Sequence, residues 1–327
     1  MFDDVATPTC IVGYTKQKLN KQSIYSDLTS IERSSLASSL DSVNNFVDTS
    51  SFLRNDSFSF VYKNYKSILD KCYKHKTLKD IAEDVATGVS PGLGDAFVID
   101  EQKVNDLGLE HELIKNLIVG GDINRFCLTP SQDKRLIYCT LKTNINDFPN
   151  IENHLKKFKE KLEKRVETQS GAIPWFVMLR PRRQKLFDNP KILIRQTANR
   201  IIAAFDNDGW YCLKSGLIVQ LPDNSELHYY YLLALLNSKL FDFLYHDLVN
   251  EDNRIFPEVK PIQLFKLPIK QADSIGQKQI INLVEQVNSA KSNGLVSDNI
   301  ECQIDQLVYQ IYDLTPEEIE IIENGVK

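Results

Sequence analysis

The chain has 327 residues, 42% of them hydrophobic and 25% charged, with a formal net charge of −5 at pH 7. That length and apolar content suit a folded protein of two or three domains with a sizeable core, and the net acidity excludes indiscriminate coating of nucleic acid by overall charge. Six scattered cysteines (Cys10, Cys72, Cys127, Cys139, Cys212, Cys302) without a Cys-x-x-Cys pair, and five dispersed histidines, give no support to a disulfide framework or a zinc site. The start lacks a basic patch followed by an apolar run, and Asn237, Ser238, Lys239 and Asp242 interrupt the most apolar stretch, Tyr229 to Tyr245. A cytoplasmic protein with no membrane partner is expected.

In chain order, Thr9 to Tyr14 reads as one short strand, and Ser23 to Ser59, dense in serine and poor in apolar residues, reads as a linker or a loose helical connector. Order resumes at Phe60-Val61-Tyr62 and Tyr65 to Tyr73. The Gly92-Leu93-Gly94 loop invites a phosphate-cradling reading, but the strand-like Ala96 to Ile99 follows it, where such a loop needs a helix N-terminus. A helix is expected around Leu109 to Leu117, a turn at Gly120-Gly121-Asp122, and a half-buried strand from Arg135 to Thr140. A Lys-rich helix, His154 to Arg165, sets Leu155, Phe158, Leu162 and Arg165 on one face. Lys191 to Thr197, Arg200 to Phe205, Trp210 to Leu213 and Leu217 to Leu221 are strand-like, and Asp206-Asn207-Asp208-Gly209 predicts a hairpin turn. Tyr229 to Tyr245 predicts a single buried helix. Two apolar stripes, through Ile280 and Val287 and through Ile304 and Ile311, meet at Asn293-Gly294 as a helical hairpin, and Thr315-Pro316-Glu317-Glu318 starts a last short helix.

Charge is unevenly placed. Residues 151–200 hold 13 Lys and Arg against 5 Asp and Glu. A concentrated basic block in an acidic chain is the footprint of a nucleic-acid face, with Lys and Arg for phosphates and forked or amide side chains for base edges. The candidate backbone contacts are Lys157, Lys161, Lys164 and Arg183. The candidate base readers, in or beside loops between strands, are Arg182, Lys185, Arg195, Gln196, Asn199, Arg200, Asn253 and Arg254.

A series of short pieces carries a family resemblance. They are Thr9-Cys10-Ile11-Val12, Leu78-Lys79-Asp80-Ile81, Gly121-Asp122-Ile123 with Arg125, and Pro149-Asn150-Ile151. After them come Trp175, Arg180-Pro181-Arg182, Pro190-Lys191-Ile192, Leu235-Leu236-Asn237-Ser238, Leu267-Pro268-Ile269, and Ile304 to Tyr309 with Leu314 to Ile319. In order and spacing the chain resembles the C-terminal half of TaqI-like adenine-N6 DNA methyltransferases and of type IIG restriction–modification polypeptides. The resemblance implies a mixed α/β (α+β) fold: a strand-rich target-recognition domain followed by a C-terminal helical hairpin. It implies four segments: 1–20, the last strand of a methyltransferase domain absent from this chain; 21–76, a Ser-rich linker and connector helix; 77–271, the recognition domain; and 272–327, the helical region. It implies sequence-specific binding of double-stranded DNA together with a methyltransferase domain or subunit.

The family's Asn-Pro-Pro-aromatic motif, which holds a flipped adenine, has no counterpart, since no Pro-Pro pair occurs and Asn189-Pro190 is followed by Lys191. No cofactor, metal or catalytic residue is therefore expected in this chain. S-adenosylmethionine, and any Mg2+, would belong to the catalytic domain or partner. Two alternatives stand beside this reading. Glu258-Val259-Lys260 with Asp252 mimics the acid-x-Lys signature of metal-dependent nucleases, although Pro257 and Pro261 bracket it. A protein-interaction subunit docking a catalytic partner through its C-terminal helices is the other.

Overall fold

The computed structural model describes residues 22–25, 35, 45–48, 65–130, 133–249 and 258–325. The expected strand at Thr9 to Tyr14, Phe60-Val61-Tyr62, and the loop that carries Asn253 and Arg254 lie outside the described residues. The chain divides into two compact units, residues 1–66 and 67–327. In the first, strands β1 (Gln22–Tyr25) and β2 (Asn45–Asp48) pair antiparallel from Gln22↔Asp48 to Tyr25↔Asn45, where the serine-rich stretch was read as a linker or loose helical connector.

The second unit is built on two four-stranded sheets. One has the order β3 (Asp84–Thr87), β10 (Gly216–Gln220), β7 (Lys191–Arg195), β8 (Ala203–Asp206), and every pair is antiparallel. The other has the order β4 (Val98–Asp100), β6 (Lys134–Ile137), β5 (Ile114–Ile118), β9 (Tyr211–Cys212), with β5 and β9 parallel. Leu193, Ala204 and Ile218 of the first sheet share a core with Leu117, Ile118, Leu136 and Ile137 of the second. Leu155, Leu162, Phe187 and Tyr211 close that core, with the Phe187 and Tyr211 rings stacked at 4.3 Å. The opposite face of β7 and β8 is covered by the helix Tyr229–Asn237, against which the long helix Ser274–Ser292 packs. Burial on both faces explains why β7 and β10 are almost continuous apolar runs rather than alternating ones.

This is the mixed α/β architecture expected, and the C-terminal hairpin of helices Ser274–Ser292 and Asp298–Ile311 is present, with Gly294 at φ +68° in its turn. Thr315 and Glu318 cap the helix Pro316–Gly325 reciprocally: the Thr315 amide donates to the Glu318 carboxylate at 2.8 Å, and the Glu318 amide to the Thr315 hydroxyl at 3.4 Å.

Several local expectations need correction. The segment read as a helix around Leu109 to Leu117 is a 3-10 turn, His111–Leu113, followed by β5. Ile114, Leu117 and Ile118 fit either period, and pairing with β6 and β9 settles the matter. Ala96 and Phe97 end a four-residue helix, Gly94–Phe97, and only residues 98–100 are a strand. Gly92 (φ +80°) is a packing glycine, since a Cβ there would lie 2.8 Å from Leu179 Cβ. The Lys-rich helix is two, Pro149–Lys156 and Lys159–Glu163, broken at Phe158, although Leu155 and Leu162 still share the buried side. The apolar helix is also two, Tyr229–Asn237 and Lys239–Val249. Ser238 breaks it in extended conformation, its hydroxyl accepting from the Phe241 amide at 3.3 Å as a new N-cap.

The turn at residues 206–209 is not a hairpin, because β8 and β9 belong to different sheets. Asp206 carries the crossing. Its carboxylate accepts the amides of Asp208 (2.9 Å) and Trp210 (3.0 Å) and pairs with the Lys191 ammonium at 2.5 Å, both side chains being fully buried. Lys191 also donates to the Phe187 carbonyl.

Edge strand β8 is closed by side chains. The Asn237 amide accepts from Ala203 N–H (3.0 Å) and donates to Ala203 C=O (2.9 Å), as a neighbouring strand would. Asp242, one turn into the next helix, accepts the Ile201 amide at 3.1 Å and pairs with Arg200. Burial pushes the Asp242 carboxyl up to about 6 against the lowering charges of Arg200 and Arg125.

Two measurements test these contacts. Removing one partner of the Lys191–Asp206 pair, by Asp206→Ala, should cost about 3–5 kcal/mol in urea unfolding, because it strands a buried ammonium. The double replacement Lys191→Met, Asp206→Leu should cost clearly less than either single change. For Asp242 the folded pKa lies above its ordinary 3.8. The folded state therefore holds a proton that the unfolded chain has released, and this group's contribution to stability falls as pH rises from about 4 to about 6. Carboxyl-carbon NMR should place its midpoint near 6; a midpoint near 4 would mean that the carboxylate is solvated.

Candidate nucleic-acid interface

The described candidate residues fall into three places. Lys157, Lys161 and Lys164 project from the paired helices 149–156 and 159–163, whose other side, through Ile151, Leu155 and Leu162, is core. Lys164 is tied to Glu160 at 2.7 Å, whereas Lys157 and Lys161 are exposed and have no acidic partner among the described residues. Arg165, on the buried side, donates to the carbonyls of Leu162, Pro91 and Trp175 (3.0, 3.4 and 2.7 Å) and holds these helices against the Gly92 loop. Trp175 packs against the core and carries the Lys159 ammonium 5.3 Å from its ring centre.

Arg182, Arg183 and Lys185 lie along edge strand β3. Arg182 takes φ +62°, its carbonyl accepts the Tyr138 hydroxyl at 2.9 Å, and its guanidinium reaches the Thr87 hydroxyl and the Gly88 carbonyl. Arg183 pairs with Asp84 at 2.6 Å and Lys185 with Glu83 at 3.3 Å. All three are exposed, yet Asp84 on β3 and Glu83 just before it already balance two of them. Exposed pairs of this kind are weak and open to exchange for a phosphate.

Arg195 ends β7, and Gln196, Asn199 and Arg200 belong to the connection from there to β8. The Arg195 guanidinium donates to the carbonyls of Ile123 (2.5 Å) and Gly121 (3.2 Å) and to the side-chain oxygen of Asn124 (3.2 Å). The Gln196 backbone donates to Ser215 C=O at 2.9 Å and accepts from Val259 N–H at 2.7 Å. Thr197 bridges Glu258, the first described residue after the loop that holds Asn253 and Arg254. Four segments thus converge at one end of the first sheet: the 119–129 turn, the β7–β8 connection, the β9–β10 turn at Lys214-Ser215, and residues 258–259. Gly120 has to be small there, because a Cβ would come 3.1 Å from the Ser215 carbonyl.

Three further residues at this end were not among the candidate contacts. Lys214 is exposed next to Ser215, whose carbonyl accepts the Gln196 amide. Asp122 shapes the 119–122 turn by accepting the Val119 amide at 2.8 Å. Arg125 reaches out of it to Glu301 at 2.9 Å, which also takes Lys291 at 2.9 Å. Burial would push the Glu301 carboxyl up, but the hydrogen bond from Lys291 and the Arg125 charge hold it below its ordinary value. The C-terminal helices are therefore bonded to the turn that receives Arg195.

Glu258 and Lys260 flank the buried Val259 just before Pro261 starts a short helix, and Asp252 lies outside the described residues. Among the described residues no three His, Cys, Asp or Glu side chains gather as a metal site would require.

Comparison with known proteins places this geometry. Residues 115–269 match the family model of the TaqI-like C-terminal specificity domain, a stretch that contains all twelve candidate residues. The chain is 28% identical over 255 residues to the type II methyltransferase M.MjaIV of Methanocaldococcus jannaschii, covering 72% of this chain and 80% of that protein. It is 23% identical over 257 residues to the type II methyltransferase M.BstVI of Geobacillus stearothermophilus, covering 74% of this chain but 41% of that protein. The type IIL restriction–modification enzyme MmeI, solved in complex with DNA, shares the fold at TM-score 0.57 and 15% identity over 76% of this chain and 35% of that one. Residues 115–269 thus carry a TaqI-like C-terminal specificity domain, and the fold over 76% of the chain is similar to that of MmeI.

Proposed function

We propose that this chain selects a short sequence in double-stranded DNA for a cytoplasmic adenine-N6 methyltransferase activity supplied by another domain or subunit, and is not catalytic by itself. The observation that carries the reading is the convergence at one end of the first sheet: within the specificity domain, one exposed loop is bonded to three others, and basic side chains lie exposed on the flanking helices and on β3. Lys157, Lys161, Lys164 and Arg183 would take phosphates, which position the duplex without reading it. Arg182, Lys185 and the β7–β8 connection, with Asn253 and Arg254, supply the groups for base edges.

Among the described residues the one glycine-rich loop does not suit S-adenosylmethionine. The Gly92-Leu93-Gly94 loop leads only into the four-residue helix Gly94–Phe97, Gly92 is packed on Leu179, and the sequence has no Pro-Pro pair to hold an adenine. The cofactor, and any Mg2+, would be held by the methyltransferase. Among the described residues no helix is long and apolar enough to cross a membrane.

Selection from a randomised duplex library, with binding of the recovered DNA re-measured at two salt concentrations, tests the reading. An enriched motif of a few base pairs, bound more tightly than scrambled duplex at both salts, is expected. Lys157→Ala and Lys161→Ala should each weaken cognate and scrambled duplex alike and flatten the log–log salt slope by about 1. Recovery of no motif, with equal affinity for all duplexes, would remove sequence recognition from this chain.

A further inference from the structure

Every described candidate reader except those in the β7–β8 connection lies along β3, where the hydrogen bonds given above engage it. The connection itself has a different construction. On its entering side, Arg195 is spent on three oxygens of the 121–124 turn, and the Gln196 backbone is bonded to Ser215 and Val259. On its leaving side, Arg200 is spent on Asp242, whose other oxygen takes the Ile201 amide. Asp242 is fully buried and cannot follow a moving loop. Between the two fixed arginines stand Gln196, half-buried, and Thr197 and Asn199, exposed. Neither the Gln196 nor the Asn199 side-chain amide has a hydrogen-bond partner among the described residues. A tip anchored on both sides, with two unspent amides three residues apart, has the geometry of a reading element: the ordering entropy of its backbone is met in folding and not on binding.

We propose, resting on the DNA-recognition reading above, that residues 196–199 are the base-reading tip, that the amides of Gln196 and Asn199 read adenine in the major groove, and that Arg195 and Arg200 are positioning residues that hold the tip. A side-chain amide offers one acceptor and two donors in a plane, which matches the N6 donor and N7 acceptor of adenine and no other base's major-groove edge as well. The arginines flanking the tip would suit guanine if free, but both are engaged inside the protein. Lys214, exposed on the adjoining turn and joined to the tip through Ser215, is the phosphate contact nearest the read bases.

The test is the same selection, run on the full chain and on the variants Gln196→Ala, Asn199→Ala, Asp242→Asn, Arg200→Lys and Lys214→Ala, each checked for cooperative unfolding well above the temperature of the selection. The wild type should enrich a motif containing A·T pairs. Gln196→Ala and Asn199→Ala should each lose the preference for adenine at one motif position and bind the cognate duplex about 10-fold more weakly, with scrambled duplex bound as before. Asp242→Asn should blunt those same positions, a change in base preference that loss of stability alone does not produce. Arg200→Lys supplies the same readout if Asp242→Asn fails to fold. Lys214→Ala should weaken all duplexes equally. An enriched motif left unchanged at every position by both amide variants would overturn the inference while leaving DNA recognition in place. A wild type that enriches no motif would overturn both.

Discussion

The buried ion pair between Lys191 and Asp206 is the constraint on which the rest of the domain depends. It joins the start of β7 to the end of β8, in register, inside the sheet that carries the candidate tip at its other end. The same carboxylate folds the 206–210 turn, which passes the chain into the second sheet as β9. An ammonium and a carboxylate without solvent repay their desolvation only with further hydrogen bonds, and here both have them: Lys191 has the Phe187 carbonyl as well, and Asp206 two backbone amides. Such a pair contributes less to net stability than to register. A slip of one residue between β7 and β8 would leave two buried charges unmatched and would invert the faces on which Ile192 and Leu193 lie.

At the far end of the same two strands the connections are polar and local. Asn237 stands in for a missing neighbour strand at β8, Asp242 holds Arg200 and the Ile201 amide, and Arg195 is absorbed by the 121–124 turn. The outcome is a rigid sheet with a stiffly held tip. Recognition surfaces benefit from that arrangement, because order already present in the free protein does not have to be created at the expense of affinity. The C-terminal helices take part: Glu301 receives Arg125 from the turn that holds Arg195, so the helical region and the candidate interface are mechanically linked.

The basic tract was easy to see in the sequence, but its chemistry was divided by the fold. Arg182, Arg183, Arg195 and Arg200 are equivalent as letters. In space, Arg183 makes an exposed pair, Arg182 sits on a strand edge in a left-handed backbone conformation, and Arg195 and Arg200 are bonded within the protein. Nothing local to Arg200 indicates that its partner is a carboxylate 42 positions away on a helix. Ser238 is the contrasting case: its capping role is local, yet the apolar run through Tyr229 to Tyr245 masked it and the segment read as a single helix.

Composition, periodicity and short motifs determined what depends on neighbours along the chain. They carried the mixed α/β character, the strands β7, β8 and β10 with their largely apolar runs, the C-terminal helical hairpin and its caps, and a concentration of positive charge. The tertiary structure decided what depends on pairing across distance. Ile114–Ile118 became a strand because two other strands were available to it, and residues 206–209 became a crossing between sheets because Asp206 had a buried lysine to meet. The same holds for the candidate site. A side chain's freedom to meet DNA depends on whether the protein has already used it, and that is a property of contacts between residues far apart in sequence.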